Sequence, residues 1–218
     1  MFTSTQLSTM LNLQNGMNIK VNPAWLTAGY GYLRAAMIEA VEGIEHHGWK
    51  WWKAQHKDLP QLQMELVDIW HFALSHIIIE FNGDIHQSAL VIAEQLAQQR
   101  STLTFDAKTY HFAEQGILDN LELMTGLCAA KRFDVSLFMT IVAQAEMDAS
   151  ELYRQYVGKN VLNFFRQDHG YKEGSYIKVW DGEEDNVVMK RIWEENGDIK
   201  PDILYKELTK LYLSLTKS

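Results

Sequence analysis

Between Glu39 and Asp68 the sequence EAVEGIEHHGWKWWKAQHKDLPQLQMELVD holds two acidic pairs, Glu39/Glu42 and Glu65/Asp68, each spaced i,i+3. Both are set among apolar residues that recur at helical period: Met37, Ile38, Val41 and Ile44 around the first, Leu62, Leu66 and Ile69 around the second. Residues three apart share one face of a helix, so each pair presents two carboxylates side by side on a surface whose neighbours seek burial. A charge leaves water only when it is paired or coordinates a metal. Hard oxygen ligands gathered from two helices suit Mg²⁺ or Mn²⁺, which keep room for water and phosphate oxygens. Two readings of the register stay open from spacing alone, because Glu45 also lies i,i+3 from Glu42. The plain alternative is that such pairs decorate solvated helix faces.

A chain of 218 residues, 47% hydrophobic and with three prolines, supports a substantial core and a helical globular domain. Its net charge of −8 argues against a surface for nucleic-acid polymers, which needs a broad basic patch. The single cysteine, Cys128, excludes an internal disulfide and sits in the apolar run LMTGLCAA, as a small buried residue would. No signal peptide opens the sequence and no apolar run approaches the roughly 18 residues that span a bilayer. The expected setting is the cytoplasm, with no membrane partner.

The periodicity predicts a short helix over residues 3–14, ended by Asn15-Gly16, and a long one from Pro23 to about His46. Gly29 and Gly31 mark either close packing or a break near its start. Pro60 opens a helix to about Phe81, and Asp84 caps another to about Gln99. Residues 100–109 read as a loop. Further helices are expected over 110–131, over 135–156 with Asp134 as cap, over 160–167, and near 186–195 and 201–215. Residues 168–184 are glycine-punctuated and read as a functional loop. No long strand pattern, repeat or linker occurs, so the expectation is one all-α domain over 1–218, built as a helical bundle.

A second constellation lies in KNVLNFFRQDHGYKEGSYIKVW (159–180), where Lys159, Arg166, Lys172 and Lys178 stand with little acid between them. Lys159, Asn163 and Arg166 fall at i, i+4, i+7, one face across two turns, with Val161, Leu162 and Phe165 opposite. Arg can grip phosphate oxygens with its planar fork, and Lys supplies point charge. A solvated basic helix end is the plain alternative. A carboxylate–metal site and a separate cationic face together suit a phosphate chain.

Glu39-x-x-Glu42, then Trp49-Lys50-Trp51-Trp52-Lys53, then Glu65-Leu66-Val67-Asp68-Ile69-Trp70-His71-Phe72 resemble the dimeric all-α dUTPases of the all-α nucleoside triphosphate pyrophosphatase superfamily. WKWWK and ELVDIWHF are far more specific than ExxE alone, and the register relative to WKWWK selects Glu39/Glu42 over Glu42/Glu45. The resemblance spans nearly the whole chain. It implies a homodimer that hydrolyses dUTP, and dUDP, to dUMP, with attack on the β-phosphorus. It further implies two or more Mg²⁺ ions (Mn²⁺ is the alternative) on Glu39, Glu42, Glu65 and Asp68 in helices about 23–81. Glu42, with Glu39, would handle the attacking water. Lys159, Arg166, Tyr171 and Lys178 would contact phosphates and Asn163 the sugar or base. LQNGMN resembles the uracil-reading segment, which makes Gln14 and Asn18 contacts to the pyrimidine, where a carboxamide can both donate and accept.

Several residues carry two readings. Trp49 would stack in the pocket or pack a dimer core; His71 would orient a carboxylate or be a satisfied core histidine. Asn186 reads as a cap of the following helix. A related pyrophosphatase with another base, such as dCTP, keeps the same chemistry. A di-iron bundle needs two Glu-x-x-His motifs, and only Asp68-x-x-His71 comes near. A non-catalytic helical interaction module is the remaining rival.

Overall fold

The computed structural model describes residues 1–196 and 200–215, and among them nine α-helices and two short β-hairpins. The opening helix, α1 (Ser4–Val21), begins at Thr3, whose hydroxyl accepts from the Gln6 amide while the Gln6 side chain accepts from the Thr3 amide. After a 3-10 turn at Trp25–Thr27 come α2 (Tyr32–His47) and α3 (Leu59–Glu80). Asp58 caps α3 with Pro60 in its first turn. The inner faces of α2 and α3 pack on each other, which sets the two acidic pairs opposite one another. Around α3 sits the core: Leu66, Ile69, Trp70 and Leu74 are fully buried, and Trp70 stacks on Phe138 at 5.1 Å. Next are α4 (Ile85–Ala97), capped by Asp84, then α5 (Ile117–Ala129), which packs on α2, and α6 (Val135–Gln144), capped by Asp134. The bundle closes with α7 (Ala149–Asp168), α8 (Asp185–Asn196) and α9 (Pro201–Leu215). No helix among the described residues is long and apolar enough to cross a membrane.

The all-α expectation holds, and several boundaries move for identifiable reasons. Gly16 does not end the first helix: α1 runs on to Val21, because the helix passes close to Phe164, 3.6 Å from where a Gly16 Cβ would stand. Gln14 and Asn18 therefore lie one turn apart on the same continuous face. The helix expected from Pro23 to His46 is divided at Gly29, whose φ of +70° no helix accommodates. The expected 135–156 helix is instead broken at Ala145–Asp148, with Glu146 at φ +58°, and the chain stays helical across the expected gap between 156 and 160. Asp148 then caps α7, and Lys159, Asn163 and Arg166 occupy the C-terminal half of this long helix instead of a short separate one. The expected 110–131 helix starts only at Ile117.

Two stretches expected as loops carry hairpins. β1 (Leu103–Phe105) pairs with β2 (Lys108–Tyr110), turning at Asp106-Ala107 with both φ positive. Likewise β3 (Val179–Trp180) pairs with β4 (Glu183–Glu184) through Asp181-Gly182. Two-residue turns of this hand match the twist of the flanking strands, and at two or three residues a strand is too short to show alternation.

Gly158 is where α8 comes closest to α7: a Cβ there would stand 3.0 Å from the Trp193 ring and 3.2 Å from Met189 Sδ. Ala has the better helix propensity by about 1 kcal/mol, but overpacking costs about 1–3 kcal/mol, so Gly158→Ala is expected to lower stability. Gly126→Ala, whose Cβ would meet only Phe105 at 3.4 Å, is expected to raise it by up to about 1 kcal/mol. Urea unfolding of both variants checks the opposite signs.

Candidate active site

Three carboxylates converge between α2 and α3. Glu39, Glu42 and Glu65 each place an oxygen so that all three lie within 4.8 Å of one another. Burial is the main reason that Glu39 is pushed up to about 8, with the neighbouring Asp68, Glu65 and Glu42 adding to it. Burial likewise raises Glu65 to about 7. At neutral pH this pair holds on to a proton, since two ionised carboxylates so close in a half-buried site repel. One partial relief is visible: His46 Nε2 lies 3.3 Å from Glu65 Oε1. The donor set is all hard oxygen, crowded and short of positive charge, which is the chemistry a divalent cation fits.

Asp68 is engaged differently from the other three. Its carboxylate receives Lys159 Nζ at 2.9 Å, with the lysine side chain almost wholly buried. Glu45, the alternative member of the first pair, faces the connecting segment, where it accepts from Trp49 Nε1 at 2.7 Å and Lys50 Nζ at 2.9 Å. These two bonds, Lys50 first, draw its pKa down.

Beside the acidic trio opens a cavity of about 310 Å³. Its walls come from α1 (Gln14, Asn18), α2 (Glu39), α3 (Asp68, His71, Phe72) and α7 (Lys159, Asn163, Arg166), with Tyr171 just beyond α7. Nine of the residues singled out from the sequence thus line one space. Glu42, Glu65, Trp49 and Lys178 do not line it: the two glutamates stand in the trio beside it, Trp49 is held by Glu45, and Lys178 is half exposed beside Glu184 at 3.4 Å.

The α1 wall is an ordered polar chain. Gln14 Oε1 accepts from Tyr156 Oη at 2.9 Å and from His71 Nδ1 at 2.8 Å. Gln14 Nε2 donates to Asn18 Oδ1 at 3.1 Å, Asn18 Nδ2 to Ser75 Oγ at 2.9 Å, and Ser75 Oγ to the His71 carbonyl at 3.0 Å. Because Gln14 offers His71 an oxygen, the imidazole proton sits on Nδ1 and Nε2 keeps its lone pair. Burial pushes the His71 pKa down to about 4, so the ring is neutral, and Nε2 is buried without a partner among the described residues. Each carboxamide retains one N–H unused by this chain.

On the α7 wall Arg166 is committed to Asp185, whose carboxylate accepts Nε at 2.8 Å and Nη2 at 2.7 Å. Asp185 is fully buried, and Tyr176 Oη donates to it at 2.8 Å. Sequence reasoning missed Asp185, Tyr156 and Ser75. Asp185 stands third in the run Glu183-Glu184-Asp185, and nothing in that run distinguishes the acid that turns inward from the two that stay exposed. The spacing of Ser75 did carry a signal, lying one turn from His71 on the same face.

A family model described as dUTPase matches residues 6–171, from the first turn of α1 to Tyr171. Comparison with curated proteins finds no match.

The raised carboxylates imply a pH dependence with a definite sign. Below about pH 4.5, their ordinary value, Glu39 and Glu65 are protonated whether the chain is folded or not. As pH rises the unfolded chain releases those protons first, while the folded pair keeps them to about 7 and about 8. The metal-free protein is therefore expected to lose stability across that window. Stabilisation by added Mg²⁺ should grow over the same range, and Glu65→Gln should flatten both trends. Thermal unfolding with EDTA or Mg²⁺ at acid and mildly alkaline pH checks it.

Proposed function

The chain belongs to the all-α dUTPase family and hydrolyses dUTP, and we propose that the cavity between α1, α3 and α7 is where it does so, releasing dUMP and pyrophosphate. The observation that carries this reading is the lining: acids at one side, the Gln14 and Asn18 carboxamides with His71 at another, cations at a third. dUDP is a second substrate on this reading, giving dUMP and phosphate.

Glu39, Glu42, Glu65 and Asp68 would hold Mg²⁺. When bound, Mg²⁺ neutralises phosphate charge and acts as a Lewis acid toward the phosphoryl oxygens. Glu42, the exposed member of the trio, accepts a proton from the attacking water. The water oxygen bonds to the β-phosphorus, the bridging oxygen departs with dUMP, and the proton passes from Glu42 to solvent. Lys159 and Asp68 line the cavity together at 2.9 Å, so the ammonium can turn from the carboxylate to a phosphate oxygen. Arg166 and Tyr171 complete the cationic wall, and Asn163 is placed for the sugar. Charge developing on the phosphate chain thus meets donors already in position.

Uracil presents an N3–H donor between two carbonyl acceptors. The spare Gln14 and Asn18 N–H groups match the carbonyls, and the His71 Nε2 lone pair or Asn18 Oδ1 matches N3–H. Cytosine would present a bare N3 and an amino group, leaving lone pair against lone pair. Sites built on such buried groups reject the wrong partner strongly, because the mismatch leaves polar atoms unpaired. The reading also takes the chain to be a homodimer, in which a second copy covers exposed apolar residues such as Ile38 and Val41 on α2.

Pyrophosphate release from dUTP, dTTP, dCTP and UTP with Mg²⁺ is expected to favour dUTP, with ¹⁸O from solvent water appearing in the pyrophosphate. EDTA should abolish turnover, and Glu65→Ala should cut kcat by at least about 100-fold, the scale of losing a charge-stabilising group. Gln14→Ala should raise KM for dUTP about tenfold and narrow the preference over dCTP. Equal use of dCTP would replace the uracil assignment, and indifference to Glu65→Ala would overturn the site.

A further inference from the structure

Asp185 lies outside the matched region, yet it makes the closest contacts to a residue lining the cavity. An acid at the first turn of a helix gains from the helix dipole whatever it touches, and such a carboxylate ordinarily stays in solvent. This one has no exposure at all. Its two oxygens take Arg166 Nε and Nη2 side by side, Tyr176 Oη donates to Oδ2, and its backbone N–H donates to the Lys178 carbonyl at 3.0 Å.

The donor arithmetic of the guanidinium then becomes specific. Of its five N–H groups, Nε and one on Nη2 go to Asp185, the second on Nη2 reaches Asn186 Oδ1 at 3.3 Å, and one on Nη1 reaches Asn163 Oδ1 at 3.3 Å. One N–H, on Nη1, is left, and the Tyr171 ring lies against the same guanidinium at 5.6 Å. Arg166 cannot offer the Nε/Nη2 edge to a ligand without leaving Asp185 with an unpaired buried charge. It meets the cavity through Nη1.

We propose that Asp185 is a positioning residue for the phosphate-binding wall: it clamps Arg166 so that the Nη1 edge, and no other, is turned to the cavity, and Tyr176 holds Asp185 in that pose. Through these two residues the C-terminal part of the chain, β3, β4 and α8, takes part in the site although it supplies no lining residue. The proposal rests on the assignment of the cavity to dUTP.

The test is a double-mutant cycle. Asp185→Asn is made alone and with Arg166→Ala, and the four proteins are compared for kcat and KM with dUTP, for inhibition by pyrophosphate, and for thermal unfolding. If Asp185 acts through Arg166, Asp185→Asn lowers kcat/KM about 30-fold and weakens pyrophosphate inhibition when Arg166 is present, but changes either by less than about threefold when it is absent. A purely structural role would shift unfolding in both backgrounds and leave the two losses equal. Equal losses, or a folded Asp185→Asn with unchanged kcat/KM, overturn the proposal. Should Asp185→Asn fail to fold, Tyr176→Phe enters the same cycle with an expected loss of about fivefold, again confined to the Arg166 background. A wild-type protein without dUTP turnover would sink the functional assignment itself, whereas turnover with an additive cycle sinks only the role of Asp185.

Discussion

Like charges brought together inside a folded chain are a debt that the rest of the molecule has to manage, and here they sit between α2 and α3. Glu39 and Glu65 are driven well above ordinary carboxylate values by burial first, with the charges of Asp68 and Glu42 adding to both. The apolar residues on the same helices, Ala36 and Ala40 on one and Leu62, Leu66 and Ile69 on the other, are what force them together. The tight packing of the two helices overrides the repulsion, so the site is preorganised for positive charge before any arrives.

The rest of the cavity answers that acidic centre by holding most of its charged and polar side chains on fixed partners. Asp68 is paired with Lys159, and Arg166 with Asp185. A buried ion pair contributes little net stability against a well-packed apolar substitute, because both ions lose their hydration. Its physical consequence is geometric: each charge has one orientation in which it is satisfied. On the α1 side the same logic runs through neutral groups. His71 Nδ1 and Tyr156 Oη, the latter shared with the Met10 carbonyl, meet Gln14 Oε1, and that contact turns the amide N–H toward Asn18.

This arrangement draws on distant parts of the chain. Gln14 and Asn18 come from the first helix, the acids from the second and third, the cations from the seventh, and the clamp on Arg166 from the start of the eighth. The dUTPase family match ends at Tyr171, whereas the hydrogen bonds that orient Arg166 come from Tyr176, Asp185 and Asn186.

What the sequence by itself determined was everything fixed by the geometry of one helix: the i,i+3 acid pairs, the i, i+4, i+7 row of Lys159, Asn163 and Arg166, the caps at Asp84 and Asp134, and the all-α class. Those follow because 3.6 residues per turn places neighbours on a face without reference to anything else. Only the tertiary structure decided that α1 passes through Gly16, that the break before α7 falls at Asp148, that Asp68 faces Lys159, and that Asp185 rather than Glu183 or Glu184 turns inward. Each of these depends on which apolar faces meet. Gly16 stays helical because Phe164 packs on it, and Asp185 is buried because Arg166 waits there. A local pattern cannot encode that, since the partner lies tens of residues away and the same apolar stripe would fit several neighbours.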